Sequence, residues 1–564
     1  MHLRRLTPSW SLLFALLAAC EGTPGEPLPL PESCEEVENL RLQPGEGIAL
    51  HGHAAGLLCV DPPAEDEEYL AVVVAATPDT LPFTATPHNI VRPSGPVAAP
   101  EAPRDPIRSS DDLHDRIREI ESAELTPLVG TPSDARQPAR APPSPAARIP
   151  AVGDFLELNA QAESACADPL YRTGRVEAVS DRAIVVADTE NPDNGFTASD
   201  FRHFAATFDT LVAPLAEQSF GEPTDLDGNG RTIIFFTIEV NRLTAPGSTG
   251  FSAGFFFARD LFPRSEPSGR LQPCEGSNEA EIIYLLVPDP AGSIAGNAQS
   301  RSFVAWITPA VMIHEYQHLL NAAVRLHHRQ LTDWQERLWL NEGLSHIAEE
   351  LLFYAASGLA PGGRIDFATL QAQGPSALEA IDRHQRFNLL RLHEFLNDPV
   401  RNSPFNQASQ GTLPTRGAAW SFLRYAADRR GGDPAEFFRG LVSSPNRGID
   451  NVAGAVGGRE TLDEWLADWS TANFASDRIP GVAERHRHAS WNFRSVFHEG
   501  LALPADPVPI FSLRTDVPFS RELTGGGAAY LRFGVAEGME GSVAFRSRGG
   551  IPPTSLRVTL LRTR

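Results

Sequence analysis

His314 and His318 in the segment HEYQHLLNA stand four residues apart with Glu315 between them, and this spacing constrains the chain more than any other feature. Side chains at i and i+4 lie one above the other on a helix, and two imidazoles so placed can share one Zn²⁺ ion while the intervening carboxylate reaches a water on it. Thr308 followed by Pro309 predicts the helix start, since threonine caps free amides and proline suits the first turn. On such a helix Asn321 shares the histidine stripe. Met312, Ile313, Leu319, Leu320 and Ala323 gather on the other side, so the histidines are expected to project into solvent or a cleft while the far face packs.

A second helix is expected in WLNEGLSHIAEELLFY. Thr332 and Gln335 have the spacing of a capping box, and Gly358 marks the end. Leu344, Ile347, Ala348, Leu351 and Ala355 form its apolar face. Glu342 and Glu349, seven residues apart, share the opposite face with His346 nearby. Two helices with packed backs and polar fronts, laid antiparallel, would bring Glu342 to His314 and His318 as a third metal ligand.

The chain opens like an export signal. Arg4 and Arg5 precede an apolar run from Trp10 to Ala19, and LLAAC places small residues directly before Cys20. This resembles a bacterial lipoprotein signal cleaved before Cys20, whose acylation would tether the protein to a membrane; an ordinary secretory signal is the alternative. Both readings place the protein in the cell envelope or outside the cell. Export makes the other cysteines readable as disulfides, most simply Cys34 with Cys59 and Cys166 with Cys274. The net charge is −23 and the 48 basic residues are all arginine, scattered along the sequence. Nucleic acid is therefore not an expected partner, because neutralising phosphates needs a concentrated basic surface.

Composition divides the chain into a signal (1–20), a tether (21–35), a small β domain (36–95) and a Pro/Ala/Arg-rich linker or pro-segment (96–150). A metal-binding domain (151–495) and a C-terminal β module (496–564) follow. The linker holds one helix candidate, SSDDLHDRIREIESAEL, with Ser110 as a cap and Leu113, Ile117 and Ile120 as an apolar stripe. Residues 21 to about 150 are expected to be removed or displaced on activation. Within 151–495, strand patterns come first and long helices afterwards, which predicts an α+β fold and not a repeating βαβ one.

HEYQH followed by WLNEG resembles the gluzincin metallopeptidases. GFFFARDLFP, SNEAEIIYLLVPDP, HEYQHLL and WLNEGLSHIAEEL are most similar to the hyicolysin family, over roughly residues 150–430. The resemblance implies a thermolysin-like zincin domain, here flanked by small β modules, with His314, His318 and Glu342 on zinc and Glu315 as the catalytic glutamate. Glu349 matches an acidic position that supports the site in related aminopeptidases. The implied activity is hydrolysis of peptide bonds, with Glu315 taking a proton from water and passing it to the leaving nitrogen.

The expected oxyanion donor is missing. Related aminopeptidases carry a tyrosine three residues before a glycine in a YxKGA stretch, and PTRGAAW has Pro414 there; Arg416 and Tyr425 are the candidates, with His384 and His393 behind them. In DLDGNGR, Asp225, Asp227 and Asn229 have the first spacings of a Ca²⁺ loop, but Phe236 occupies the twelfth position; a tight turn explains the same residues. The reading is a zinc endopeptidase acting on peptide or protein substrates. An exopeptidase is the nearer rival, although CEGSNEAE lacks the aminopeptidase GxMEN pattern. A non-catalytic surface protein on a peptidase scaffold is the rival of another class. Oligomeric state is not legible.

Overall fold

The computed structural model describes residues 31–93, 112–131, 149–248, 250–405 and 412–564. Cys20 and Ser110 lie outside them. The metal-site half begins with a mixed six-stranded sheet in the order Phe155–Asn159, Tyr171–Val179, Ala183–Asp188, Thr232–Phe236, Ile282–Leu285, Gly254–Phe256. The three strands from Ala183 to Leu285 run parallel, and Gly254–Phe256 is an antiparallel edge. Thr232–Phe236 is buried at every residue, as a strand covered on both faces must be. A helical crossover, Ala198–Phe220, joins the first parallel pair, so one βαβ unit sits inside the α+β fold. The rest of this half is helical.

The helix carrying the histidines runs from Arg301 to Ala322 and is capped by Ser300, whose hydroxyl accepts from the Phe303 amide. It does not start at Thr308. Pro309 lies inside it, where it cannot donate to the Ala305 carbonyl. Arg383 compensates, donating to the carbonyls of Ala305 (3.4 Å) and Trp306 (2.9 Å), and Thr308 spends its hydroxyl on Val304. The glutamate-bearing helix, by contrast, starts later than expected, at Leu338 with Arg337 in the capping position instead of Thr332; it ends at Ser357 with Gly358 left-handed, φ 72°. Leu344, Ile347 and Ala348 are fully buried, as expected, but Glu342 on the opposite face is fully buried as well.

The two β segments expected as separate modules form one sandwich. Glu67–Ala75 lies at the centre of a five-stranded sheet ordered Gly47–His51, Leu556–Arg562, Glu67–Ala75, Ala528–Val535, Ile510–Ser512. The facing sheet is Phe519–Leu523, Leu81–His88, Gly541–Arg546, Leu57–Val60. Tyr69, Ala71 and Val73 point into the sandwich, while Leu70, Val72 and Val74 join the core of the other half. That double burial is why YLAVVVAA is a continuous apolar run. Helix Arg459–Ala475 packs on this outer face: Tyr530 donates to the Ser470 carbonyl (2.7 Å), and Arg557 makes a paired contact with Glu460 (2.8 and 2.9 Å). Residues 21–150 therefore cannot leave as one piece without extracting a central strand. The disulfides are Cys34–Cys59 and Cys166–Cys274, as expected, and among the described residues no helix is long and apolar enough to cross a membrane.

Candidate metal centre

The two long helices lie antiparallel with His314 and His318 facing Glu342. His314 Nε2 is 3.6 Å from Glu342 Oε2, and His318 Nε2 is 3.4 Å from Glu342 Oε1. A tetrahedral ion with donors at about 2.0–2.2 Å spaces those donors about 3.3–3.6 Å apart, so the three groups fit zinc in number, type and separation. The outer nitrogen of His314 is fixed by Glu349, whose Oε1 lies 2.8 Å from Nδ1; the same oxygen is 3.1 Å from His346 Nδ1. A carboxylate there sets the ring so that Nε2 faces the centre. Ser345 donates to Gln317 (2.6 Å), leaving its oxygen to accept from the His318 ring, 3.2 Å from Nδ1.

Glycines bring the next element in. A Cβ on Gly343, directly after Glu342, would meet Leu423 at 2.8 Å and Ala419 at 3.1 Å; one on Gly417 would meet the Leu392 backbone nitrogen at 2.3 Å. Helix Leu413–Arg430 can therefore press against both Leu338–Ser357 and Arg386–Asn397, and this inserts Arg416, with Nη1 3.0 Å from Glu342 Oε2. Burial would raise the Glu342 pKa, but Arg416, His114 and His318 together hold it well below the usual carboxylate range. Burial drives His318 down to about 3, so its ring is neutral and able to donate a lone pair. For His314 burial pulls down, while Glu342 and Glu349 raise the pKa to about 10 in the metal-free site; a cation between these groups would replace that proton. Glu315 is 2% exposed and its Oε2 is buried with no hydrogen-bond partner, an acceptor aimed into the same space.

One further group stands among these donors, and no sequence motif marked it. His114, from the linker helix Asp112–Ile120, places Nδ1 3.1 Å from Glu342 Oε1, and its ring lies 5.6 Å from those of both His314 and His318. The donor atoms of His114, His314, His318 and Glu342 all lie within 4.8 Å of one another. The histidines do face a cleft, but this helix fills it; a cavity of about 180 Å³ remains beside it, lined by Arg118, His318, Asn321, Trp334 and Asn341 among others.

The remaining candidates lie elsewhere. Tyr425 donates to the Arg485 carbonyl and accepts from Arg429 (2.7 Å), far along its helix from Arg416, and its hydroxyl meets no metal-site group. His393 binds the Pro504 carbonyl (3.2 Å). His384 is buried beyond Glu349, and burial lowers its pKa to about 3. In CEGSNEAE, Asn278 donates to Asp260 (2.9 Å) and so belongs to a buried structural network. Asp225 and Asp227 group with Glu281, which stands where the loop's own twelfth position could not supply an acid. Asn229 instead accepts from the Arg231 amide, Asp225 accepts from the Gly230 amide, and Glu281 from the Leu226 amide, so the turn is self-bonded.

No protein-family model matches the sequence. The chain is 28% identical over 160 residues to the neutral metalloprotease ShpI of Staphylococcus hyicus, a match that spans 28% of this chain and 32% of that protein. With the His/Glu donor group, this similarity supports a metallopeptidase.

Proposed function

We propose that this protein is a zinc-dependent metalloendopeptidase of the hyicolysin type. The observation that carries the proposal is the fit of His314, His318 and Glu342 around one centre with the buried, unpartnered carboxylate oxygen of Glu315 beside it. Zinc, when bound, supplies a Lewis acid that acidifies water and polarises a carbonyl. Glu315 accepts a proton at Oε2 and returns it to the departing amine nitrogen. Glu349 and Ser345 hold the two imidazoles in the donating orientation. Arg416 keeps Glu342 ionised, and its guanidinium, with Nη2 3.9 Å from Asp115 of the linker helix, is the candidate to donate to a developing oxyanion.

Support for an endopeptidase comes from Gly254–Phe256, the last strand of its sheet, whose outer side pairs with no strand among the described residues and could take an extended chain once the linker helix is displaced. The test is metal content together with casein digestion by the parent chain and by His114→Ala, with end-group analysis of the products. One zinc per chain and internal cuts are expected; release of single residues would instead establish an exopeptidase, and absence of zinc would remove the mechanism. Attachment to the envelope through Cys20 belongs to the same reading. Cys20→Ser should release the protein from membranes, and unchanged association would rule Cys20 out as the tether.

A further inference from the structure

We propose that the linker helix Asp112–Ile120 is a built-in inhibitor in which His114 Nδ1 fills the metal's remaining coordination position, so that the chain as synthesised is latent. The inference rests on the metallopeptidase reading above. Catalytic zinc sites keep a position open, whereas a fourth protein donor closes it. His114 is built to be that donor. Its Nε2 lies 3.3 Å from the Gly254 carbonyl and 3.6 Å from Glu315 Oε1, two acceptors that place the ring proton on Nε2 and leave the Nδ1 lone pair facing Glu342, His314 and His318. The same ring stands beside Glu315, so one side chain fills the space between the metal donors and the base.

The helix also takes the substrate's place on the sheet edge. Phe255 pairs with Tyr284, and the Ala253 carbonyl accepts from the Leu286 amide. Gly254 and Phe256 therefore turn their backbone groups away from the sheet, and Ala258 follows just past the strand's end. His114 meets the Gly254 carbonyl, Arg118 Nη2 donates to the Phe256 carbonyl (2.7 Å), and Glu121 accepts from the Ala258 amide (2.8 Å). Residues 114, 118 and 121 share one face; the first two take alternate carbonyls of the edge strand and the third an amide just past its end, which are groups an added peptide strand would need. Burial of Leu113, Ile117 and Leu125, at 2%, 0% and 0% exposure, holds the helix there. The sandwich strands that precede it are secured by their own pairing, so this helix can be displaced without them.

The test replaces zinc by cobalt(II) in the full chain and follows the visible spectrum as acetohydroxamate, a bidentate metal-binding probe, is added. The parent spectrum should be unchanged by the probe, while that of His114→Ala should shift to saturation and casein cleavage should rise at least tenfold. His114→Gln serves if the alanine variant does not fold. Arg118→Ala, which touches no metal donor, should give a partial shift by loosening the helix. A parent that responds to the probe as fully as His114→Ala overturns the proposal. If His114→Ala opens the spectrum but cuts no casein, the fourth-donor assignment stands and the peptidase reading falls; a parent that binds no cobalt overturns both.

Discussion

Strand Leu81–His88 of the sandwich buries every second side chain, with Leu81, Phe83, Ala85 and Pro87 inside and Thr86 and His88 out. Helix Leu338–Ser357 instead buries Glu342, His346, Glu349 and Glu350 along with its leucines. In this strand polarity and burial coincide, and alternation alone describes the element. In the cleft they separate, and each buried charge needs a named partner: Arg416 for Glu342, His314 and His346 for Glu349, Arg424 (2.7 Å) with Trp491 (2.8 Å) for Glu350. Burying an ion costs several kcal/mol unless it is paired. Such residues mark where the fold accepts that cost for chemistry, or, as at Glu350, for a structural network.

The largest expected effect falls on the cleft alone. Glu315→Gln, made in the His114→Ala background, should lower peptide cleavage about 10²- to 10⁴-fold while zinc stoichiometry and Tm stay at the background's values, because Glu315 is not a ligand. Cleavage undiminished in that variant would remove Glu315 as the base.

Next come two truncations that should separate the regions. Glu342→Ala deletes an anionic donor and leaves Arg416 buried without its carboxylate, so zinc affinity should fall, added metal should restore part of the activity, and stability should drop by about 3–5 kcal/mol. Phe545→Ala in the sandwich core, where the ring is fully buried, should cost about 3–5 kcal/mol in denaturant unfolding yet leave zinc affinity unchanged below the transition. Loss of zinc binding in Phe545→Ala would show that the two regions are energetically one.

Much of the cleft was legible because its chemistry is local. HEYQH and the glutamate at 342 lie on adjacent helices with periodic apolar backs, and Gly358 stops the second helix where a left-handed residue is needed. The features that sequence missed depend on distant partners. Pro309 reads as a helix start until Arg383 is known to serve the carbonyl that proline leaves. The sandwich looked like two modules because its strands pair across more than 400 residues, as in Tyr69 opposite Phe533. His114 had no motif; its only signal was a histidine within the linker's one amphipathic helix, next to Leu113 and three residues before Ile117.

A smaller effect sharpens the contrast between ligand and support. Glu349→Gln keeps size but removes the charge behind His314, and zinc affinity should fall about 10- to 100-fold, as for other outer partners of metal-bound histidines. Affinity equal to the parent's, measured by competition with a chelator, would make Glu349 a packing residue only.

The smallest effect concerns acid. The helical half buries histidines that the sandwich keeps outside: His51, His53 and His88 are exposed, whereas His488 is 5% exposed, with Nε2 3.0 Å from Asn473 Oδ1 and its ring against Phe493. Burial lowers the His488 pKa to about 3, below the roughly 6.5 of an unfolded histidine. Between those values the unfolded chain binds the extra proton, so this contribution to stability is complete above pH ~6.5 and shrinks as pH falls toward 3. By pH 5 the loss from one such group is about 2 kcal/mol. His488→Gln, which can still donate to Asn473, should therefore flatten the decline in Tm between about pH 6.5 and 5. If the variant's Tm falls with acid as steeply as the parent's, the acid sensitivity of the helical half must come from other buried histidines, with His327 and His384, lowered by burial to about 4 and about 3, next in line.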